Sequence, residues 1–194
     1  MPIPRLVSER TALLVVDVQE RLLPSIVDAE RVVANVASAL EVARLLGIPA
    51  IVTEQYRKGL GPSAPAVARA AEGHATIVEK TRFSAVVPAV DAFLAAHRRD
   101  EVLVCGVEAH VCILQTTLDL LATGRQPYLL TDAISAGRPD QVAPAYRRME
   151  RAGAVPTGLL GAAYEMLGDA GHPRFRDVLG VVKTLRAPSA TLAG

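Results

Sequence analysis

Six short apolar runs recur along the chain: TALLVVDV (11–18), PAIVTE (49–54), ATIVEK (75–80), EVLVCG (101–106), PYLLTD (127–132) and GAVPT (153–157). Each is too short for an ordinary helix and shows little alternation of apolar with polar residues, as expected of parallel strands buried on both faces. Longer segments with helical spacing separate them. Residues 28–46 put Val32, Val33, Val36, Leu40, Ala43 and Leu46 on one face, and Gly47 supplies a stop. Residues 88–98, 112–124 and 140–152 repeat the pattern, and Gly124 and Gly153 follow two of them. Strand alternating with helix predicts a three-layer α/β/α architecture, Rossmann-like, around a mostly parallel six-stranded sheet.

The 194 residues are enough for one sizeable core and too few for two ordinary domains. One domain over residues 1–194 is expected, ending in a loosely held tail, RAPSATLAG. The formal net charge is +1, with no block of like charge, so neither nucleic acid nor an anionic membrane is indicated as a partner. No apolar run approaches the roughly 20 residues that span a bilayer, and MPIPRLVSER lacks the apolar segment of a signal peptide. Two cysteines, not spaced as CxxC, make no disulfide framework and suit a reducing, cytoplasmic compartment.

In a sheet of this kind ligands gather at the carboxyl ends of the strands. Polar residues just after a strand are therefore the candidates: Asp17, Glu54, Gln55, Glu79, Lys80, Glu108, His110, Cys112, Thr131 and Asp132. Cys112 falls about where the fourth long helix begins. There the helix dipole and a lysine would lower a thiol pKa and favour the thiolate nucleophile. The competing reading is a small buried apolar residue, which is the reading for Cys105 inside VLVC. Asp17 closes LLVVD, and a carboxylate behind such a run is costly unless paired or used. Lys80 would neutralise Asp17. His110 lies two residues from Cys112 across a turn, poor geometry for a base that must reach the sulfur. No HxxxH, DxH, GxGxxG or GxxxxGK[ST] pattern is present, so no metal, dinucleotide or P-loop site is expected and no cofactor is implied.

An Asp after strand one, a Lys after strand three and a Cys after strand four form a constellation. With the stretches LLVVDVQERLLPSI, GIPAIVTEQYRKGLGPS, VEKTRFSA, VLVCGVEAHVCILQTTLDLLATG and LLTDAISAGRPDQVAPAYRRMERAGA, the chain resembles the isochorismatase-like cysteine hydrolases, which include nicotinamidases. TEQYRKGLG and GVEAHVCILQTTLDLL look like the wording of the isochorismatase domain-containing proteins. The resemblance implies a triad of Asp17, Lys80 and Cys112. It also implies a cis peptide at Val107–Glu108 that aims the backbone N–H groups of Glu108 and Cys112 at one point, an oxyanion hole. Gln19, Leu22, Tyr56 and Phe83 become candidates for substrate contact.

Two departures from the family pattern matter. TEQYRKG has no Asp-x-His, which argues against a metal-dependent nicotinamidase. Leu22 stands where a Phe is frequent, so a pyridine-ring substrate is not assumed. True isochorismatases lack the cysteine, so Cys112 favours acyl transfer. The expected function is hydrolysis of a small amide or related C–N bond through a thioester, by a homo-oligomer acting on a small molecule. The alternative is a catalytically silent or redox-responsive binding protein on the same fold.

Overall fold

The computed structural model describes residues 3–187. Within the expected tail, residues 188–194 lie outside the described residues. Six strands run in chain order: β1 (Thr11–Val16), β2 (Ala50–Gln55), β3 (Ala75–Lys80), β4 (Glu101–Val107), β5 (Gln126–Ser135) and β6 (Val155–Thr157). Every neighbouring pair is parallel, in the order β3-β2-β1-β4-β5-β6. The order reverses between β1 and β4, and that reversal is where such a sheet opens a crevice at its carboxyl edge.

All residues of β1 and β4 are buried. Their side chains divide by parity, as a period of two requires. Leu13 and Val15 join a core with Val32, Val36 and Leu40 of α1 (Ala29–Leu45); α3 (Pro65–Ala71), α7 (Leu159–Leu167) and α8 (Phe175–Val182) complete that layer. Ala12, Leu14 and Val16 face the other way, onto α4 (Pro88–Ala96), α5 (Leu114–Ala122) and α6 (Pro139–Ala152). Val33 and Leu46, expected on the buried face of the first helix, pack against the first core while partly exposed.

Three differences from the sequence expectation have physical causes. β3 is not buried on both faces: it is the sheet's edge, and its Ile77 is 46% exposed. The short apolar run was legible, but its place in the strand order was not. β5 extends through Ser135, with an irregular register against β4 between Val104 and Gly106. The helix expected at 112 instead opens with one π turn, Ala109–Ile113, before α5. A one-turn helix, α2 (Arg57–Leu60), together with α3 and α8, also lies outside the expected elements.

At Gly106 two strands of the sheet leave no room for a side chain. The residue pairs with Val16 at the end of β1, adopts φ 117°, and any Cβ there would collide with the Val16 backbone. Only glycine allows β1 and β4 to approach this closely just before both strands deliver their polar residues.

Candidate active site

Asp17, Lys80 and Cys112 come from three loci that the strand order brings to one edge. Asp17 directly follows β1 in a left-handed conformation, φ 55°, and its N–H donates to the Thr53 carbonyl at 3.1 Å. A non-glycine residue held there costs on the order of 1–3 kcal/mol, a cost that fixes where its carboxylate points. Lys80 is the last residue of β3, and Cys112 lies in the π turn after β4. The Val107–Glu108 peptide bond that leads into this turn is cis.

The side chains of Asp17 and Lys80 are both 0% exposed, and Lys80 Nζ donates to Asp17 Oδ2 at 2.6 Å. Thr53 Oγ1 donates to the other carboxylate oxygen at 2.7 Å. The ammonium also faces Gln55 Oε1 at 2.8 Å and the carbonyls of Arg82 and Phe83 at 3.1 Å each. Three protons therefore serve four acceptors, which ties the segment after β3 to the charge pair. The Cys112 thiol lies close enough to the same carboxylate for the two groups to shift each other's proton affinity.

Burial pushes the Asp17 carboxyl above the ordinary carboxylate range, and the Lys80 charge pulls it partly back. Cys112 overturns the expectation of a lowered thiol pKa. Burial and then the Asp17 charge push it up to about 12, against smaller opposing effects of Lys80 and the Glu108 backbone N–H. The helix end and the lysine were legible in the chain; the desolvation that outweighs them was not. At rest the cluster is a protonated thiol beside a carboxylate–ammonium pair.

The other candidates separate. Gln19 is fully buried and structural: its amide nitrogen donates to the carbonyls of Gln55 at 3.0 Å and Gly61 at 2.6 Å, and its oxygen accepts from the Gln55 N–H at 2.7 Å. Its polar atoms are spent on the β2–α2 loop, which corrects its placement as a substrate contact. Leu22 is half-buried and packs against the α1-side core. Tyr56 is exposed and lines a cavity that Lys80 also borders, while Phe83 is exposed and contributes its carbonyl to Lys80. The Glu108 carboxylate accepts the Gly137 N–H at 2.7 Å, and its carbonyl accepts from Val111 and Ile113. His110 Nδ1 is buried without a hydrogen-bond partner. Glu54 points away from the cluster to Ser63 and Arg57, and Asp132 accepts the Leu159 N–H at the start of α7. Among the described residues no group of three or more His, Cys, Asp or Glu side chains is placed to hold a metal ion.

Thr53 is the residue that sequence reasoning missed. It reads as strand interior, yet it sits one β-period before Gln55 on the strand beside β1, and both side chains face the charge pair. That period of two was the available signal.

Cys112 is 6% exposed and Cys105 0%, and burial lifts the Cys105 thiol even further than that of Cys112. Iodoacetamide on folded protein, mapped by peptide mass, should modify Cys112 and spare Cys105. The rate at Cys112 should still be climbing at about pH 10, by which an ordinary thiol, half-ionised near pH 8.5, has levelled off. Labelling of Cys105 at an equal rate, or a plateau near neutral pH, would contradict this site.

The family model for the isochorismatase domain matches residues 11–159. Isochorismatase domain-containing protein 2 of Macaca fascicularis is 38% identical over 191 residues, covering 98% of this chain and 91% of that protein. A structure described as the MAR1 ribonuclease of Caenorhabditis elegans superposes with a TM-score of 0.92 at 32% identity, covering 96% of this chain and 97% of that one. YcaC from Pseudomonas aeruginosa, described with hexane-2,5-diol and covalent acrylamide, superposes with a TM-score of 0.84 at 25% identity, with 93% of each chain covered. A family match across most of the described chain, with relatives this similar along nearly its whole length, establishes that the protein belongs to the isochorismatase family.

Proposed function

We propose that the protein is a cysteine hydrolase that cleaves a small amide or related C–N bond through a thioester. The observation that carries this reading is one buried carboxylate, Asp17, held by Lys80 on one oxygen and Thr53 on the other, with the Cys112 thiol within its electrostatic reach. Such a carboxylate is oriented, has a raised proton affinity, and has a thiol beside it whose proton it can take. A general base needs those three properties.

In the proposed reaction Asp17 takes the thiol proton as Sγ attacks the substrate carbonyl. The oxygen that gains the electron pair is held by the N–H groups of Glu108 and Cys112. The C–N bond then breaks, and Asp17 returns the proton to the departing amine. Water attacks the thioester, again giving its proton to Asp17, and the acid leaves as the thiol is restored. Lys80 stays charged throughout and keeps the two neighbouring anions tolerable. A raised thiol pKa fits this scheme, because the thiolate need exist only as the proton moves. The covalent acrylamide in the Pseudomonas relative is in keeping with a reactive nucleophile in that protein.

A redox pair has less support, since Cys105 and Cys112 lie in opposite core layers of the sheet. A cytoplasmic location belongs to the proposal and rests on the two free thiols; among the described residues no helix is long and apolar enough to cross a membrane. A homo-oligomer also belongs to it, because exposed Ile77, Tyr56 and Phe83 leave apolar surface around the open β3 edge. Light scattering that finds only a monomer would remove that part.

The main test is a panel of small amides, carbamates and ureides, with trapping of an acyl adduct on Cys112. A short RNA is included because the Caenorhabditis relative is called a ribonuclease. Cys112→Ala should abolish turnover and adduct; RNA cleavage that survives Cys112→Ala would contradict the proposal. Asp17→Asn should lower kcat roughly 10²–10⁴-fold. Activity requires ionised Asp17, whose pKa is raised, so the acid limb of kcat/KM should lie above that of an ordinary carboxylate. Lys80→Ala removes the charge that lowers both the Asp17 and Cys112 values, so that limb should move further up. Lys80→Arg should restore it only partly. An unmoved limb in Lys80→Ala would reduce the triad to a Cys–Asp pair.

A further inference from the structure

The backbone and the side chain of Glu108 do different work. Its backbone N–H lies close enough to the Cys112 thiol to favour the ionised sulfur, and the proposed reaction gives that N–H to the oxyanion. Its side chain leaves the turn altogether. Oε2 accepts the Gly137 N–H at 2.7 Å, across 29 residues of chain. A carboxylate on a backbone N–H makes a charge-assisted bond, stronger than a neutral one.

The Gly137 end of that bond is itself fixed. Gly137 lies in the loop between β5 and α6. A Cβ there would stand 2.7 Å from the Ser25 carbonyl oxygen and 3.2 Å from Glu108 Oε2, so the glycine is clasped between the segment after β1 and the turn after β4. One residue earlier, the Ala136 carbonyl accepts the Val27 N–H at 3.1 Å, and Ser135 Oγ donates to the Val27 carbonyl at 2.6 Å. Three loops at the carboxyl edge, after β1, β4 and β5, thus meet around one carboxylate oxygen. On the other side stands a single π turn, Ala109–Ile113. Its Val111 and Ile113 N–H groups donate to the Glu108 carbonyl at 3.0 and 3.2 Å. With the carbonyl held from one side and the carboxylate from the other, the direction of the N–H between them is set.

We infer that the Glu108 side chain is a positioning residue for acyl transfer: by holding Gly137 it aims the N–H groups of Glu108 and Cys112 at the substrate oxygen, without touching substrate. The inference rests on the proposed reaction at Cys112 and adds to it a side chain outside the triad. The charge itself gives no help, because a carboxylate beside a developing oxyanion and thiolate opposes both. The useful property is an acceptor of the right reach, and variants separate the two. Glu108→Gln keeps an oxygen that can accept the Gly137 N–H and loses the charge. Glu108→Asp keeps the charge and falls one methylene short. Glu108→Met keeps the size and loses both.

Two reagents probe the same sulfur. p-Nitrophenyl acetate acylates it: the Sγ–C bond forms, the carbonyl oxygen gains and then returns an electron pair, the C–O bond breaks, p-nitrophenolate leaves, and the thiol proton passes to Asp17. Iodoacetamide alkylates it: the Sγ–C bond forms as the C–I bond breaks, iodide leaves with the electron pair, the thiol proton passes to Asp17 or solvent, and no oxyanion develops. The measurement is the ratio of acylation to alkylation rate at Cys112, followed by peptide mass at one pH and divided by the same ratio for 2-mercaptoethanol. Thiol ionisation and exposure divide out of this ratio; contacts to the oxyanion do not. The native protein should exceed the free thiol about 100-fold or more. Glu108→Met should lose about 10-fold or more of that enrichment. Glu108→Asp should lose most of the same amount, and Glu108→Gln should recover most of the loss. A side chain that only supports the fold would slow both reactions together and leave the ratio where it was. An unmoved ratio in Glu108→Met, or a lower ratio in Glu108→Gln than in Glu108→Asp, overturns the inference and leaves the hydrolase. If Glu108→Met does not fold, the order of the other two variants still decides. A native ratio no higher than that of the free thiol overturns the hydrolase reading, and the inference with it.

Discussion

The buried ion pair between Asp17 and Lys80 is the constraint on which the rest of the site depends. Neither side chain has any solvent exposure, so each charge is tolerable only because the other is 2.6 Å away. Removing one partner of such a pair strands the other and costs about 3–5 kcal/mol. The surrounding polar groups follow from this requirement. Thr53 fills the second carboxylate oxygen, and Gln55 with two carbonyls completes the ammonium's shell. The pair joins the end of β1, which borders the reversal of strand order, to the end of β3 across β2.

With the charges settled between those two residues, the thiol is free to stay neutral. Cys112 sits in low-dielectric surroundings beside a carboxylate, and both effects hold its proton in place. Asp17 has its own proton affinity raised by the same burial. The environment moves the two groups in the same direction. In the proposed reaction the approach of a carbonyl carbon to sulfur governs proton transfer between them, so that reaction does not need a standing thiolate. Gly106 serves this arrangement indirectly: the collision that any Cβ would make with Val16 shows how closely the thiol's strand passes the carboxylate's strand.

Asp17, Lys80 and Cys112 were legible in the sequence because each follows an apolar run, and the carboxyl edge of a parallel sheet is where ligands collect. The same filter also admitted Glu54 and Asp132, which brace neighbouring segments, and the family resemblance made Gln19 a candidate substrate contact although its amide closes a loop. Thr53 was hidden inside a strand. β3 looked like a buried strand because strand order leaves no mark on periodicity, and among the described residues no strand pairs with its outer edge. The thiol's proton affinity was read in the wrong direction because a helix start and a lysine are visible in the chain, whereas burial against Asp17 arises only on folding.

The central claim is that Asp17 both raises the thiol's proton affinity and accepts its proton. The most direct measurement is the ultraviolet thiolate titration of Cys112 in the native protein and in Asp17→Asn, made with Cys105→Ala present in both, alongside turnover of one amide substrate. Replacing the carboxylate with an amide removes a negative charge and an acceptor that favour the protonated thiol. The thiolate of Asp17→Asn should therefore form at a lower pH than that of the native protein, while its hydrolysis is slower. A thiolate that forms at the same or a higher pH, or an Asp17→Asn protein that hydrolyses the amide at the native rate, would contradict the account.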